Sequence, residues 1–315
     1  MRAIVITTPG GSSVLDHAEV PDPVPGEGEA LVEVAASGVN FIDVYHREGR
    51  YPLATPFVPG SEGAGTVSAT GPGVTEVAVG DRVAWANVLG SYAEKQVVPT
   101  EKLVPVPDPL ELDLAAAVML QGMTAHYLTH STYAIQPDDV VLIHAAAGGM
   151  GLLLTQMAKT RGAHVIATVS SEAKGKLARA AGADEVLRYA DVAADVRKRC
   201  HVVYDGVGAT TFEDSLAALR PRGVLALYGA ASGPVPPFDL QRLNAAGSLF
   251  VTRPTLGHYV ATRPELLERA EDVLGWVADG SLDVAVWKRY PLAEARQAHD
   301  DLEGRRTTGK LLLIP

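Results

Sequence analysis

Hydrophobic and polar positions follow two different patterns along this chain. Up to about residue 115, short apolar or alternating segments such as 29–40 and 79–99 are separated by turn residues, which predicts an all-β, barrel-like region. From about residue 120, short apolar strands alternate with helical segments, which predicts a parallel sheet covered by helices. After residue 264, apolar residues at helical spacing (Leu266, Ala270, Val273) precede two further strands. We expect this tail to return to the first region.

One segment, 140–151 (VVLIHAAAGGMG), joins an apolar strand to a glycine-rich turn, and LLLTQMAKTRG continues at helical spacing. Ala146, Gly148 and Gly151 occupy the three small-residue positions of the dinucleotide fingerprint. There the missing side chains permit a tight turn, a close approach of pyrophosphate, and contact of helix with strand. The free N–H groups and the positive end of the helix dipole then face the anion. The segment therefore predicts a dinucleotide-binding turn.

Composition narrows the class of protein. A length of 315 residues with 47% hydrophobic content predicts a soluble, globular protein of two domains. The single cysteine, Cys200, excludes an intrachain disulfide and a zinc site built on a cysteine cluster. A net charge of -10 without a basic tract argues against nucleic-acid binding, and His144 and Gln156 inside the longest apolar run argue against a membrane span. Because MRAIVITTPGG lacks the apolar core of a secretory signal, we expect a cytoplasmic protein.

Motifs along nearly the whole chain resemble those of one family. They include SGVNFIDVYHREGRYP, PFVPGSEGAGTV, QGMTAHYL, HAAAGGMG, VVYDGVG and RPRGVLALYGAASGPVPP. In combination they are similar to the zinc-independent, ζ-crystallin-like quinone oxidoreductases of the medium-chain dehydrogenase/reductase superfamily. The resemblance implies an α/β protein with a GroES-like β-barrel catalytic domain over 1–119 and 260–315. It further implies a Rossmann domain, a doubly wound parallel sheet over 120–259 that binds NADPH, together with a cleft between the domains and a homodimer.

The metal-binding positions of that superfamily carry other residues here. Zinc alcohol dehydrogenases have a cysteine at the start of the segment corresponding to 37–43, and Gly-His-Glu where this chain has Gly60, Ser61 and Glu62. No cysteine lies between residues 83 and 120, so the four-cysteine structural site is missing as well. Alcohol oxidation without a Lewis acid loses its usual route, whereas hydride transfer to an electrophilic quinone or enone needs none. The sequence therefore predicts an enzyme without a metal site.

The resemblance assigns the acceptor site to Asn40, Tyr45, Tyr51 and Thr124. The amide of Asn40 can hydrogen-bond a carbonyl, and the two tyrosines offer flat faces and hydroxyls to an aromatic acceptor. Thr124 corresponds to a hydroxyl that the family holds close to the nicotinamide. The residues alone equally allow tyrosines that pack a loop, an asparagine that caps a turn, and a threonine bonded to its own backbone. Both interpretations are open at this point, and the family pattern favours the site.

The end of the second Rossmann strand bears on the choice of cofactor. Proteins that prefer NAD hold the ribose with an Asp or Glu about 20 residues after the glycines, whereas HVIATV here ends in Ser170 and Ser171. Hydroxyls followed by Lys174 would accept a 2′-phosphate that a carboxylate would repel, although Glu172 lies close by. The resemblance adds Tyr189 beside the adenine and Arg305 at the phosphate. The predicted cofactor is NADPH, and its predicted binding residues are Ala147, Gly148, Gly149, Met150, Gly151, Ser170, Lys174, Tyr189, Tyr228 and Arg305.

The predicted function is the transfer of hydride or electrons from NADPH to a quinone without a metal ion. Catalysis would consist mainly of positioning and water exclusion. One alternative is an NADPH-dependent reductase of enone or alkenal double bonds, because the same site can deliver hydride to the β-carbon of an activated alkene. Another, of a different class, is a non-catalytic NADPH-binding protein with a structural or RNA-associated role, which the acidic charge balance disfavours.

Overall fold

The computed structural model describes all residues, 1–315. The chain forms two compact units, the first made of residues 1–123 and 260–315 and the second of residues 124–259. The domain boundaries expected after residues 119 and 259 stay a prediction, and the compact units change over after residues 123 and 259. None of the helices combines the length and the apolar character that crossing a membrane requires.

Strands and helices follow one another along the chain in three stretches. The first contains β1 (Arg2–Val5), β2 (Asp16–Glu19), β3 (Glu29–Val39), α1 (Phe41–Arg47), β4 (Glu62–Thr70), β5 (Arg82–Ala86), β6 (Lys95–Pro99), β7 (Val104–Pro105) and α2 (Leu112–Tyr127). The second contains β8 (Val140–Ile143), α3 (Gly149–Thr160), β9 (His164–Val169), α4 (Glu172–Ala180), β10 (Glu185–Arg188), α5 (Val192–Asp195), β11 (Cys200–Asp205), α6 (Phe212–Ala218), β12 (Leu219–Leu227), α7 (Gln241–Ala245), β13 (Phe250–Thr252) and α8 (Leu256–Tyr259). The third contains α9 (Arg263–Ala278), β14 (Val286–Pro291), α10 (Ala295–Glu303) and β15 (Lys310–Ile314).

The second unit is built on a six-stranded sheet in the order β10-β9-β8-β11-β12-β13. All its pairings are parallel. The central strands β8, β9 and β11 are nearly continuous apolar runs because helices cover both faces of such a sheet. Counted from β8, the order is 3-2-1-4-5-6, the arrangement of dinucleotide-binding folds. This confirms the predicted doubly wound parallel sheet.

The first unit contains a seven-stranded sheet in the order β14-β15-β3-β4-β5-β7, with β6 also paired to β3. Strand β15 pairs antiparallel with β3, so the C-terminal tail belongs to this unit. One core cluster of the unit surrounds the fully buried Trp85, with Val32, Val98 and Leu103 against it. Gly63 leaves the space for that indole, since a Cβ there would lie 2.6 Å from the Trp85 ring.

The first 115 residues were predicted to be all-β, and the structure instead contains helix α1 among the strands. Asn40 is its N-cap in an extended conformation, and the Asp43 carboxylate accepts the backbone N–H of Asn40 at 2.9 Å. This contact is one half of a capping box, in which the third helical residue satisfies the N-cap amide. Seven residues make only two turns, which is too few for helical periodicity to stand out among strands. The Asn-x-x-Asp spacing of a capping box could have indicated the start of the helix.

Candidate functional site

The predicted dinucleotide turn lies between β8 and α3. Ala145 has a left-handed conformation (φ 52°), and Gly148 is the N-cap of α3, with no side chain capping the helix. The first N–H groups of a helix have no intrahelical acceptor, so they are available to an anion. A Cβ on Gly151 would lie 2.4 Å from the Ala145 carbonyl oxygen and 2.5 Å from the Ala146 Cα, which explains the glycine. The predicted residues Ala147, Gly148, Gly149, Met150 and Gly151 all lie at this turn.

The end of β9 carries hydroxyls and no carboxylate. Ser170 is exposed, and Ser171 is the N-cap of α4, where its Oγ accepts the backbone N–H of Lys174 at 3.3 Å. Glu172 lies in the first turn of α4 and forms an exposed ion pair with Arg179 at 3.4 Å. Glu172, the carboxylate whose charge could repel a 2′-phosphate here, is therefore paired with Arg179 of the same helix.

Two predicted cofactor residues contact the loops at the carboxyl ends of the strands. The Tyr189 hydroxyl accepts the backbone N–H of Ala145 at 3.1 Å, and its ring stacks on His144 with centroids 5.9 Å apart. Tyr228 lies against Gly206, where a Cβ would come within 2.8 Å of the Tyr228 ring. Both tyrosines thus border the β8 and β11 loop ends, and their contact with NADPH stays a prediction.

His144 is a structural residue between strand and helix. One ring nitrogen lies 2.9 Å from Thr168 Oγ1 and the other 3.0 Å from Ser215 Oγ, and the Ser215 hydroxyl in turn donates to the Asp205 carboxylate at 2.8 Å. Burial lowers the pKa of His144, which keeps the imidazole neutral. Both nitrogens are therefore engaged within the protein, in agreement with the strand-end role expected for this histidine.

In the first unit, the Asn40 side chain is fully occupied by protein partners. Its Oδ1 accepts from Lys310 Nζ at 2.8 Å and from Gln121 Nε2 at 3.1 Å. Its Nδ2 donates to Glu62 Oε1 at 2.7 Å and to the Gly38 carbonyl at 3.4 Å. An asparagine amide offers two donors and two acceptor positions, and all four are used. Direct hydrogen bonding of Asn40 to an acceptor carbonyl would require one of these bonds to break.

The aromatic residues of the predicted acceptor site do meet. Tyr45, buried on α1, packs edge-on against Tyr51 with ring centroids 5.4 Å apart and an interplanar angle of 71°. Phe41 lies 6.4 Å from Tyr45 on the same helix, and the Arg50 guanidinium lies 5.6 Å above the Tyr45 ring. Tyr51 is 44% exposed, so this ring offers a surface to a ligand while Tyr45 supports it.

A buried hydrogen-bonded chain continues from α1 into the unit. The Tyr92 hydroxyl donates to Asp43 Oδ2 at 3.1 Å and lies 3.1 Å from His299 Nε2, while Arg47 donates to His299 Nδ1 at 3.1 Å. Because arginine only donates, His299 Nδ1 is the acceptor and Nε2 carries the proton. Burial raises the pKa of Asp43 to about 6 and, with the nearby Arg47 charge, lowers the pKa of His299 to about 3. Ser61 also donates to Asp43, at 2.7 Å.

The remaining two predicted site residues lie in different units. Thr124 is buried in α2 and belongs to the second unit. Arg305 is exposed, with φ 55°, in the loop between α10 and β15 of the first unit. Their predicted contacts with the nicotinamide and the 2′-phosphate stay predictions.

The positions that hold catalytic zinc in alcohol dehydrogenases are used differently here. Ser37 Oγ lies 2.5 Å from Ser91 Oγ and donates to the Glu62 carbonyl at 3.1 Å. Ser61, where those enzymes have histidine, donates to Asp43 at 2.7 Å. The neighbouring Glu62 is fully buried in an ion pair with Lys310. No group of three or more His, Cys, Asp or Glu side chains is arranged to hold a metal ion. Absence of a metal requirement stays a prediction.

Sequence interpretation missed the charged pair and Gln121. Glu62 begins the buried segment EGAGTV and Lys310 begins the apolar strand KLLLI, and a charge inside a buried strand needs a counter-ion. That rule indicates that both residues need a partner of opposite charge. It does not say that the two charges meet, nor that two amides lie beside them.

Two family descriptions match this chain. The sequence family described as Zinc-binding dehydrogenase matches residues 149–272, and the one described as Alcohol dehydrogenase GroES-like domain matches residues 26–108. The chain is 46% identical to a quinone oxidoreductase of Pseudomonas aeruginosa, with 97% of each chain covered. It is 44% identical to a 2-haloacrylate reductase of a Burkholderia species, covering all of this chain and 99% of that protein. The crystal structure of Escherichia coli quinone oxidoreductase complexed with NADPH matches with a TM-score of 0.96 and 40% identity over 100% of both chains. The predicted GroES-like domain is thereby confirmed.

Proposed function

We propose that this chain, which belongs to the quinone oxidoreductase family of the medium-chain dehydrogenase/reductase superfamily, transfers hydride from NADPH to a quinone without a metal ion. It is an NADPH-dependent oxidoreductase. The observation that carries the finer proposal is the use of the zinc positions, where Ser37 bonds Ser91 and Ser61, at the histidine position, donates to Asp43. An acceptor that is already electrophilic needs no Lewis acid.

The residues fit the cofactor. The uncapped N-terminus of α3 and the contact at Gly151 suit a pyrophosphate, and the exposed Ser170 with Lys174 suits a 2′-phosphate. NADPH supplies the hydride. The exposed ring of Tyr51, supported by Tyr45, provides a flat surface for a quinone, and alignment of the reactants supplies a large part of the rate gain in such a site.

A reductase of activated alkenes is the second candidate. A 2-haloacrylate reductase is 44% identical to this chain over its whole length, and an acrylate double bond is an activated alkene. Hydride addition to its β-carbon generates an enolate that then takes up a proton.

Steady-state assays with metal-depleted enzyme test the function. With NADPH in chelator-containing buffer, we expect turnover of quinones with a larger kcat/KM than that of enones or 2-haloacrylates. A larger kcat/KM for the alkenes would establish the second candidate, and activity that needs added zinc would contradict the metal-free proposal. Absence of turnover together with saturable RNA binding at physiological salt would favour the non-catalytic alternative.

Substitutions at Tyr51 separate stacking from acid catalysis. Tyr51→Phe keeps the flat face, so it should retain most activity, whereas Tyr51→Ala should raise the quinone Michaelis constant about tenfold with little change for NADPH. The two Michaelis constants are measured side by side, with that for NADPH as the internal control. Loss of turnover in Tyr51→Phe with unchanged quinone affinity would instead identify the hydroxyl as a proton donor.

A homodimer is part of the proposal. Strand β13 is an edge of the six-stranded sheet, with Phe250 61% and Val251 38% exposed. An apolar edge of this kind is suited to pairing with the same strand of a second copy. We expect sedimentation to report a dimer for the wild type and a monomer for Phe250→Lys with Val251→Lys. Leu240→Lys, at a more exposed site of the same unit, should leave the dimer intact. A wild type that sediments as a monomer would contradict the proposal.

A further inference from the structure

The Asn40 amide lies between two buried charges of opposite sign. The side chains of Lys310 and Glu62 are 2% and 0% exposed and form an ion pair. Lys310 Nζ donates to Asn40 Oδ1, and Asn40 Nδ2 donates to Glu62 Oε1. An ammonium group can only donate and a carboxylate can only accept. The pair therefore permits one orientation of the Asn40 amide and forbids the flipped one.

The orientation of Asn40 sets that of Gln121. Gln121 Nε2 donates to Asn40 Oδ1 at 3.1 Å. With an acceptor fixed at that position, only the NH₂ end of Gln121 can face it. Gln121 Oε1 is left buried and without a hydrogen-bond partner in the protein. A buried acceptor of this kind is costly unless a donor from outside the chain meets it.

The surroundings of Glu62 are shaped for its carboxylate. Its Oε2 accepts the backbone N–H of Leu120, the neighbour of Gln121, at 2.6 Å. Gly38 leaves the space for the other oxygen, since a Cβ there would lie 2.1 Å from Glu62 Oε1. Strands β3 and β4, helix α2 and strand β15 thus converge on one charge pair.

We propose that Lys310 and Glu62 are positioning residues, which act through Asn40 to present Gln121 Oε1 as a hydrogen-bond acceptor to a ligand. The proposal rests on the proposed function for the identity of that ligand. Two ligand groups have the required donor chemistry, the carboxamide N–H of NADPH and the hydroxyl of a hydroquinone product. In either case Asn40 orients the site without touching the acceptor.

Removal of both charges separates positioning from stability. Lys310→Met alone leaves the buried Glu62 carboxylate without a counter-ion and is expected to destabilise the fold. Lys310→Met with Glu62→Gln removes both charges at nearly constant volume, so we expect near-wild-type unfolding but a kcat/KM for quinone reduced about tenfold, the worth of one hydrogen bond. Arg289→Met with Asp113→Asn, which removes another ion pair of the same unit, should leave kcat/KM unchanged. A Lys310 and Glu62 double variant with wild-type kcat/KM would overturn the proposal.

Gln121→Met tests the presented acceptor. If the carboxamide is the donor, the variant should bind NADPH about tenfold more weakly than the wild type does. The 3-acetylpyridine analogue, which lacks that N–H, should bind to the variant and to the wild type equally well. Cofactor fluorescence measures both affinities. If the hydroquinone is the donor, product inhibition should weaken instead by a similar factor. No change in either measurement would overturn the role of Gln121.

A readout without substrate keeps this test apart from the proposed function. In the wild type the side-chain amide ¹⁵N resonances of Asn40 and Gln121 should be sharp and their protons slow to exchange, because the charge pair holds them. In the double variant these protons should exchange at least several-fold faster. If the wild type reduces no quinone, the proposed function fails while these resonances still decide the positioning role. Unchanged exchange in the double variant would overturn it.

Discussion

Replacing both Lys174 and Arg305 with alanine is expected to raise the Michaelis constant for NADPH by a factor of about 10² to 10⁴ and to leave that for NADH nearly unchanged. Each charge-assisted contact with a 2′-phosphate is worth about 1.5 to 3 kcal/mol, and NADH has no such phosphate. Ser170 is exposed at the end of β9, and Glu172, the nearest carboxylate in sequence, pairs with Arg179. Steady-state kinetics with each cofactor measures the difference.

A matched pair of cations controls for the loss of charge. Lys176 is exposed on the same helix as Lys174, and Arg306 follows Arg305 and pairs with Asp301. Lys176→Ala with Arg306→Ala should change neither Michaelis constant appreciably. Equal losses for both cofactors in the Lys174 and Arg305 variant, or a wild type that prefers NADH, would refute the assignment of NADPH specificity to these side chains.

The second unit could be predicted from sequence because its signals are local. Strand β8, the glycine turn and α3 follow each other within 140–160, so one short window contains the strand, the small residues and the apolar helix face. Helix α1 has only seven residues, and its capping contact joins Asn40 to Asp43 over one turn. A helix this short has too little periodicity to stand out among the flanking strands.

The contacts among the residues of the predicted acceptor site could be predicted only in part, for a different physical reason. Tyr45 and Tyr51 are six positions apart and meet as expected. Asn40 and Lys310 are 270 positions apart, so their contact depends on the pairing of β15 with β3. Long-range pairing leaves no periodicity in the sequence. The family pattern assigns Asn40 to the acceptor site, which stays a prediction, and only the structure shows that its amide is already saturated.

The buried groups that link the first turn of α1 to α10 predict an unusual dependence of stability on pH. Asp43 and His299 are both fully buried and are joined through the Tyr92 hydroxyl. Burial raises the pKa of Asp43 from 3.8 to about 6 and lowers the pKa of His299 from 6.5 to about 3. Between about pH 4 and 6, Asp43 is therefore protonated in the folded state and ionised in the unfolded chain. Over the same range His299 is neutral in the folded state and protonated in the unfolded chain.

The two linkages have opposite signs between about pH 4 and 6. The contribution of Asp43 is fully present below pH 3.8 and is lost as the pH rises through 6. The contribution of His299 is present above pH 6.5 and is lost as the pH falls towards 3. Each changes the free energy of unfolding by about 1.4 kcal/mol per pH unit, so in the wild type the two slopes cancel over this window.

Single substitutions should expose each slope. Between pH 4.5 and 6, Asp43→Asn should make the free energy of unfolding rise with pH by about 1.4 kcal/mol per unit more steeply than in the wild type, and His299→Gln should make it fall by the same amount. Urea unfolding at constant ionic strength measures both, and only the slopes are compared because each substitution also changes absolute stability. The double variant should regain the wild-type slope. Identical slopes for all four proteins would mean that Asp43 and His299 titrate in the folded state as they do in the unfolded chain, so that the Asp43–Tyr92–His299 chain imposes no charge state on its ends.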